Sequence, residues 1–301
     1  MKIVVTGSLG NISKPLVTSL LSKGHKVTVI SSSTERKAAI EALGATAAIG
    51  TMENTDFLAD TFKRADIVYV METLGNGAAA FFDQNVDVTE VITQIGRNYK
   101  EAIARAGVKK VIHMSSIGAD KGPGLLRFHY NVENILRELP ADVAIKFMRP
   151  VGFYYTMYQY LPMIRQQGAI FSNNGGDRKE PWVSPLDIAA VIAEEMEKPF
   201  SGRTIRYIAS DEISPDDIAR TLGSAMGKPD LQWIEISDDQ MLDGLLKAGM
   251  NPETAKGYIE MNIGRRDGSL YDDFYQHKPV LGTVKLTDFA KDFAAAAAQS
   301  A

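Results

Sequence analysis

The residues best suited to bind a ligand lie at the start of the chain, where the sequence reads I-V-V-T-G-S-L-G-N-I-S-K-P-L from Ile3. Gly7 and Gly10 are followed at the same spacing by Ser13. A glycine-rich turn between a strand and a helix lets backbone N–H groups and the helix dipole face a pyrophosphate. A plain strand-to-helix turn has the same pattern, but its place after the first strand favours dinucleotide binding. Ser13 suits the packing position of such a turn, and its hydroxyl is a candidate phosphate donor.

The end of the second predicted strand bears on which dinucleotide is bound. NAD sites place an Asp or Glu there to bond the ribose, whereas this chain has Ser31, Ser32 and Ser33. Hydroxyls followed by the cation of Arg36 suit a 2′-phosphate, so the pattern favours NADP, with NAD as the alternative. A polar loop that caps the next helix at Ser33 or Thr34 explains the same residues.

Short apolar strands alternate with amphipathic helices over the first half of the chain. The pattern predicts strands over residues 2–5, 25–30, 45–49, 66–71, 109–114 and 143–148. It predicts helices over residues 15–23, 36–43, 56–64, 87–106 and 131–139. This alternation is typical of an α/β fold with a doubly wound parallel (Rossmann) sheet, which binds ligands at the carboxyl ends of its strands.

The pattern changes after residue 150, where an aromatic and irregular stretch begins. We expect residues 1–150 to form the NAD(P)-binding core and residues 151–301 to form mainly a smaller, mostly helical substrate lobe. Residues 185–210 read as a helix and a strand that return to the core. Amphipathic helices over residues 214–226 and 238–248 belong to the lobe, and the C-terminal alanine run reads as a fraying helix end.

The composition excludes several classes of protein. The chain has 301 residues, of which 45% are hydrophobic, with a formal charge of −4 and no cysteine. It lacks the excess of basic residues with which proteins bind a nucleic-acid backbone. It also lacks the cysteine thiolates that form many metal sites. It also lacks an apolar run of membrane-spanning length and any metal-ligand spacing of His, Asp or Glu. We expect a cytoplasmic monomer or homodimer that acts on a small molecule, without direct contact to nucleic acid or membrane.

Five motifs within residues 5–189 resemble those of the NmrA-like members of the atypical short-chain dehydrogenase/reductases, and the resemblance covers almost all of the chain. They are V-T-G-S-L-G-N-I-S, K-K-V-I-H-M-S-S-I-G-A, H-Y-N-V-E-N-I-L, F-M-R-P-V-G-F and W-V-S-P-L-D-I-A. The resemblance implies a dinucleotide-binding Rossmann fold. It implies no single substrate, because such proteins include quinone and enone reductases, isoflavone-type reductases, sugar-nucleotide relatives and redox-sensing regulators.

The resemblance also implies where the cofactor contacts the chain. The glycine turn would meet the pyrophosphate, the second strand tip the adenosine ribose, and the ends of later strands the nicotinamide and its ribose. The implied cofactor-binding residues are Gly7, Ser8, Gly10, Asn11, Ile12, Ser31, Ser32, Ser33, Arg36, Met71, Glu72, Thr73, Ser115, Pro150, Val151, Gly152 and Phe153, with Ser116 beside Ser115.

The sequence offers several candidates for the catalytic group. The better-known short-chain dehydrogenases pair a Tyr with a Lys four residues later, but Tyr130 has Asn134 at that position. Isoflavone-type reductases have a Lys four residues before a helix Glu, and here His129 stands in that relation to Glu133. Imidazole donates or accepts protons near neutral pH, so His129 is a candidate acid for a reduced carbonyl. Tyr130 and Ser116 are further candidates, and a structural histidine at the helix start is the alternative for His129.

Aromatic residues after residue 150 are candidates for the acceptor site. Packing between the sheet and the lobe explains each of them equally well. Trp182 is expected to serve the fold, because Ser184 after it reads as a helix cap. His113 lies in an apolar strand and reads as a core histidine. The predicted acceptor wall consists of Tyr154, Tyr155, Tyr158 and Phe171.

Three functions are consistent with these residues. The first is an NADPH-dependent reductase of a planar or carbonyl acceptor of the quinone or enone type, in which the cofactor supplies the chemistry. The second is an NADP(H) sensor without turnover that acts through a protein partner. The third is a relative of the sugar-nucleotide epimerases and dehydratases, which the missing Tyr–Lys pair disfavours.

Overall fold

The computed structural model describes residues 1–75 and 77–299 of the chain. Its strands are β1 (Lys2–Val5), β2 (Lys26–Ser31), β3 (Thr46–Ile49), β4 (Ile67–Val70), β5 (Lys110–Met114), β6 (Ala144–Pro150), β7 (Gly152–Phe153), β8 (Ile170–Ser172), β9 (Glu180–Val183), β10 (Arg203–Ile208), β11 (Asp211–Ile213) and β12 (Trp233–Glu235). Its α-helices are α1 (Ser13–Ser22), α2 (Arg36–Ala42), α3 (Thr55–Phe62), α4 (Val88–Ala106), α5 (Arg127–Arg137), α6 (Leu161–Gln167), α7 (Pro185–Glu197), α8 (Pro215–Ala225), α9 (Asp238–Lys247), α10 (Pro252–Asp267), α11 (Asp272–Gln276) and α12 (Leu286–Gln299).

Seven strands form one parallel sheet in the order β10-β6-β5-β4-β1-β2-β3. Its central strand β4 reads I-V-Y-V and is buried throughout, as expected where helices cover both faces. The strand order reverses between β1 and β4, and open α/β sheets bind ligands beside such a reversal. The predicted doubly wound fold is confirmed.

Two layers of helices sandwich this sheet. Leu16 of α1, Ile40 of α2 and Ile188 of α7 share one apolar cluster on one face. Phe62 of α3, Tyr99 of α4 and Val132 of α5 share a second cluster on the other face. Helix α5 follows β5 and therefore starts near the carboxyl edge of the sheet, where a ligand is expected.

The residues after β6 build a smaller, mostly helical unit. It holds a three-stranded sheet, β11-β9-β7, and the strand pair β12-β8. Its apolar core includes Tyr154, Trp182, Trp233, Phe289 and Phe293. Strand β10 returns to the main sheet beside β6, and α7 packs on α1. The domain boundary at residue 150 stays a prediction.

Some elements differ from those predicted. Helix α5 begins at Arg127 instead of residue 131, because a 3-10 turn at Gly124–Leu126 leads directly into it. His129 and Tyr130 are therefore helical. The irregular stretch after residue 150 contains short strands and α6, and α10 was not predicted. Apolar periodicity could not reveal α10, since its buried face includes Thr254 and Asn262.

Candidate functional site

The turn after β1 needs glycine for its own packing. Gly7 has a φ of +85°, and a Cβ there would lie 2.5 Å from Met71 Sδ and 2.7 Å from Ser13 Oγ. A Cβ on Gly10 would lie 3.3 Å from the carbonyl oxygen of Gly7. Helix α1 starts directly after this turn, and within the described chain no side chain caps its first turn. The first N–H groups of α1 are therefore suited to meet an anion.

Ser13 occupies the packing position of the turn. It is 1% exposed, and its hydroxyl donates to the carbonyl oxygen of Thr6 at 3.0 Å. This bond holds the first turn of α1 against the end of β1. The expectation that the Ser13 hydroxyl donates to a phosphate is therefore corrected. The side chain of Ile12 also lies in the core, so only its backbone can face a ligand, whereas Asn11 is exposed.

Ser8 and Ser31 join the glycine turn to the tip of β2. Ser8 has a φ of +54°, in the left-handed region, and its Oγ donates to Ser31 Oγ at 3.0 Å. Ser31 is 3% exposed, and its Oγ also accepts from the backbone N–H of Ser33 at 3.2 Å. Ser31 therefore orders the tip from inside, and its expected place at the adenosine ribose stays a prediction. Ser32 and Arg36 are exposed, and Ser33 is half-buried.

The segment after β4 turns one of its expected lining side chains inward. The N–H of Met71 donates to Thr6 Oγ1 at 2.9 Å, which ties the end of β4 to the end of β1. The side chain of Glu72 is 1% exposed, and its Oε2 lies 3.2 Å from Nε2 of the fully buried His113. The Glu72 carboxylate therefore points into the protein, a correction to its predicted lining role. Met71 and Thr73 are half-buried.

Helix α5 brings a carboxylate to the end of β5. Ser115 is 2% exposed, and its Oγ donates to Glu133 Oε1 at 2.6 Å. Arg149, at the end of β6, donates to both oxygens of the same carboxylate. Burial raises the pKa of Glu133, but the hydrogen bonds and charge of Arg149, with the Ser115 bond, lower it below its usual value. Ser115 thus bonds to Glu133, and its expected place at the nicotinamide ribose stays a prediction. Ser116 is half-buried.

His129 lies in the first turn of α5. The residue is half-buried, and among the described residues its Nδ1 is shut off from solvent without a hydrogen-bond partner. Burial lowers the pKa of His129 to about 4, with Glu72 opposing and His113 adding to the shift. The ring is therefore neutral at pH 7, and a role of His129 as the acid stays a prediction. A neutral imidazole still donates from one nitrogen and accepts at the other. Tyr130 is 39% exposed.

The segment expected to flank the nicotinamide ring follows β6. Pro150 and Val151 are buried. Gly152 lies opposite Trp182 where β7 pairs with β9, and a Cβ on Gly152 would lie 3.2 Å from the indole ring. Phe153 is half-buried, and its ring centroid lies 5.8 Å from that of Tyr155, which is 40% exposed. Phe153 and Tyr155 are thus open to solvent in part.

Two members of the predicted acceptor wall pack within the second unit. Tyr154 is buried and stacks on Phe289 with ring centroids 5.7 Å apart. Tyr158 stacks on Phe293 at 5.6 Å. These two tyrosines hold α12 in place, so the predicted wall is corrected to Tyr155, with Phe171 half-buried in β8. The expected structural role of the W-V-S segment is confirmed, because Trp182 is 3% exposed and Ser184 caps α7.

Sequence reasoning missed the partners of Arg149. Its Nη1 donates to the Tyr207 hydroxyl at 3.0 Å and lies 3.3 Å from Asp273 Oδ2 in α11. A signal was available, since β6 reads A-I-K-F-M-R-P and a buried cation must be paired. Lys146 of the same strand is paired with Glu195 at 2.9 Å. The partners themselves lie too far along the chain for spacing to reveal them.

The described part of the chain contains no group of three or more His, Cys, Asp or Glu side chains that could hold a metal ion. Three of the histidines lie beside single carboxylates: His113 at 3.2 Å from Glu72, His25 at 3.4 Å from Glu197 and His277 at 3.2 Å from Asp273. Across residues 1–75 and 77–299, no helix is long and apolar enough to cross a bilayer.

Solved structures of both reductases and an epimerase share this fold. The triphenylmethane reductase of Citrobacter sp. superposes with a TM-score of 0.78 at 18% identity, over 98% of this chain and 100% of the reductase. The NADPH-dependent quinone oxidoreductase of Escherichia coli, complexed with NADPH, gives a TM-score of 0.77 at 19% identity, over 96% and 99% of the two chains. A nucleoside-diphosphate-sugar epimerase of Staphylococcus aureus gives 0.74 at 14% identity, over 97% and 100%. At these identities the likeness shows the fold alone.

Sequence comparison shows which family the chain belongs to. The NAD(P)H azoreductase of Xenophilus azovorans is 25% identical over 161 residues, which is 53% of this chain. That match spans 56% of the azoreductase, little more than half of its length. Residues 1–259 match the NmrA-like family, which is most of the chain and includes every motif of the site described above. The chain belongs to the NmrA-like family.

Proposed function

We propose that this chain is an oxidoreductase that binds NADPH and reduces a small planar acceptor of the quinone or enone type. The observation that carries the proposal is the joining of the glycine turn to a β2 tip without a carboxylate, through the bond between Ser8 and Ser31. NADPH, when bound, would supply a hydride. The sequence match to an NAD(P)H azoreductase supports this assignment, and reductases are among the proteins that share the fold.

The residues present fit such a cofactor. The uncapped start of α1, with Gly7 and Gly10 before it, offers N–H groups to a pyrophosphate. The exposed Ser32 and Arg36 offer a hydroxyl and a cation to a 2′-phosphate. These contacts would hold the dinucleotide at the carboxyl edge of the sheet.

We place the acceptor of the proposed reaction beside residues 150–153. Phe153 and Tyr155 are aromatic residues that are partly open to solvent, which suits a flat apolar molecule. Ser116, His129 and Tyr130 stay the predicted polar contacts of the acceptor. Holding a hydride donor and an acceptor in line supplies a large part of the rate in such reactions.

A cofactor titration followed by an acceptor screen tests this function. We expect NADPH to quench or shift protein fluorescence at lower concentration than NADH, and quinones to accelerate NADPH oxidation. NADPH binding without turnover of quinones, enones or azo compounds would instead indicate a sensor. Turnover of a sugar nucleotide without net NADPH oxidation would indicate an epimerase, and either result would overturn the proposal.

A further inference from the structure

Helix α10 contacts two loops that leave the carboxyl edge of the main sheet. One loop follows β4 and reaches α4 through residues 77–87, and the other follows β5 and reaches α5 through the 3-10 turn Gly124–Leu126. Strands β4 and β5 lie between β1, which carries the glycine turn, and β6, beside whose end we place the acceptor. The two loops therefore border the edge where a hydride donor and an acceptor would meet.

The start of α10 is bonded to the loop after β4. The N–H of Asn251 donates to the carbonyl oxygen of Phe81 at 2.9 Å, and its Nδ2 donates to that of Asp83 at 3.2 Å. In return, Nε2 of Gln84 donates to the carbonyl oxygen of Gly249 at 3.1 Å. Three hydrogen bonds thus hold the start of α10 to this loop, and two of them come from side chains.

The second turn of α10 packs on the 3-10 turn that leads into α5. A Cβ on Gly124 would lie 2.1 Å from the carbonyl oxygen of Gly257, and a Cβ on Gly257 would lie 3.1 Å from the backbone nitrogen of Leu125. The two backbones approach this closely because neither glycine carries a side chain. Helix α10 therefore joins the loop after β4 to the loop after β5.

The remainder of α10 is fixed in the second unit by buried polar contacts. Arg265 Nε donates to Glu180 of β9 at 3.0 Å, and the Glu180 side chain is 5% exposed. Asn262 Nδ2 donates to Asn173 Oδ1 at 2.7 Å, and both residues are fully buried. The side-chain bonds at the start of α10, in contrast, lie where the chain is partly or fully exposed. Their loss should free the start of the helix and leave its anchored end in place.

We propose that α10 closes the acceptor side of the candidate site, and that Asn251 is the positioning residue that keeps it closed. This inference rests on the proposed function. While the bonds of Asn251 hold, the loops after β4 and β5 stay together and enclose an acceptor between them and residues 150–153. When the bonds are lost, the loop after β4 separates from α10 and the acceptor is held less firmly. NADPH keeps its proposed contacts at the glycine turn and the β2 tip, because these lie on other elements.

Asn251→Ser tests this role, because it separates the cap of α10 from the bond to the loop. Asn251 Oδ1 accepts from the N–H of Glu253 at 3.0 Å, and serine caps helices about as well as asparagine. The shorter serine side chain lacks the amide that reaches the carbonyl oxygen of Asp83. With one hydrogen bond lost, KM for a quinone should rise about fivefold, while kcat and the Kd for NADPH should stay within about twofold.

Two further variants show whether the effect comes from this contact. Asn54→Ser is the matched control, since Asn54 caps α3 by accepting from the N–H of Phe57 at 2.9 Å, and it should leave KM unchanged. Gln84→Met removes the other side-chain bond without altering α10, so it should raise KM for the quinone as Asn251→Ser does. The variant with both changes should have a higher KM than either single variant.

A second readout needs no acceptor. Hydrogen exchange of the backbone amides in residues 77–87, followed by mass spectrometry in the cofactor-free protein, reports how firmly this segment is held. Exchange should be faster in Asn251→Ser and in Gln84→Met than in the unmodified protein, and unchanged in Asn54→Ser. The midpoint of thermal unfolding should be similar in Asn251→Ser and Asn54→Ser, because each keeps its cap.

An unchanged KM in Asn251→Ser and Gln84→Met, or unchanged exchange in residues 77–87, would overturn the role of Asn251. An equal rise of KM in Asn54→Ser would overturn it as well, because the effect would then not belong to this contact. If Asn251→Ser fails to fold, Gln84→Met decides. An unmodified protein that binds NADPH but reduces no quinone would instead overturn the proposed function, so the two failures are distinguishable.

Discussion

Arg149 binds the carboxylate of Glu133 through two parallel hydrogen bonds, from Nε to Oε1 and from Nη2 to Oε2, each 2.8 Å long. Both side chains are almost fully buried, at 3% and 2% exposed. Arg149 lies in β6 and Glu133 in α5, so the pair ties the helix that carries His129 to the edge of the sheet. The ion pair therefore positions the candidate site from within.

Loss of one partner of this pair should be costly. Arg149→Met would leave the buried Glu133 carboxylate with only the partly exposed Arg137, 3.1 Å away, as its counter-charge, and we expect the free energy of unfolding to fall by about 3–5 kcal/mol. The double variant Arg149→Met/Glu133→Gln should lose less of the free energy of unfolding than Arg149→Met alone. Urea unfolding measures both. Arg97→Met, which removes an exposed pair with Glu90, is the control and should change the free energy of unfolding far less. Equal costs at the two sites would contradict the expectation.

Acid should weaken the fold in part through His129. Burial lowers its pKa from 6.5 to about 4, so the unfolded chain binds more protons between these values. The stability that the neutral ring contributes is complete above pH 6.5 and is lost as the pH falls toward 4. His129→Asn should therefore lose less stability than the unmodified protein between pH 7 and pH 5, as measured by urea unfolding at both values. His277→Asn, at a 64% exposed side chain, should behave like the unmodified protein.

The glycine turn should tolerate no side chain at its first position. Gly7→Ala combines a φ of +85° with contacts of 2.5 Å and 2.7 Å to Met71 and Ser13. Gly24 has a φ of +79° with open space around it, so Gly24→Ala should cost only about 1–2 kcal/mol of backbone strain. We expect Gly7→Ala to be less stable than Gly24→Ala by thermal unfolding and to lose NADPH binding. Similar behaviour of the two variants would show that the turn can open at no cost.

Cofactor choice should depend on Arg36 if NADPH is the ligand. A bond between a guanidinium and a 2′-phosphate is charge-assisted, so Arg36→Ala should weaken NADPH binding by about tenfold or more. NADH lacks that phosphate, and its Kd should stay the same. Lys37→Ala, at the neighbouring exposed cation, serves as the control in the same fluorescence titration. Equal losses of affinity for NADPH and NADH would show that Arg36 does not select between the two cofactors.

Much of the fold could be predicted from local features of the sequence. Apolar strands such as β4 and the glycines that follow α1 and α4 show where elements begin and end, because hydrophobic periodicity and capping act between neighbours along the chain. Ser184 and Ser214 were identifiable as caps for the same reason, and each accepts a hydrogen bond from the first turn of its helix. The turn at Gly7 was equally readable, since its backbone needs a residue without a Cβ.

The directions in which side chains point could not be predicted from these local features of the sequence. Glu72, Ser115 and Tyr154 all follow strands whose carboxyl ends face the expected ligand, yet each turns into the protein. Their directions depend on groups contributed from elsewhere, such as His113 beside Glu72 and Glu133 beside Ser115. A one-residue change of register would reverse such directions, so position along a strand cannot decide them.

The sequence by itself thus determined the type and order of the main-sheet elements, the glycine turn and the family, because these rest on short-range patterns. Only the tertiary structure decided which polar groups are free to act. Arg149 meets Asp273 across 124 positions of chain, and this contact forms only once α11 packs against the sheet. Burial of the His129 ring in the folded chain is likewise a tertiary effect, and it is the largest cause that lowers the pKa of His129.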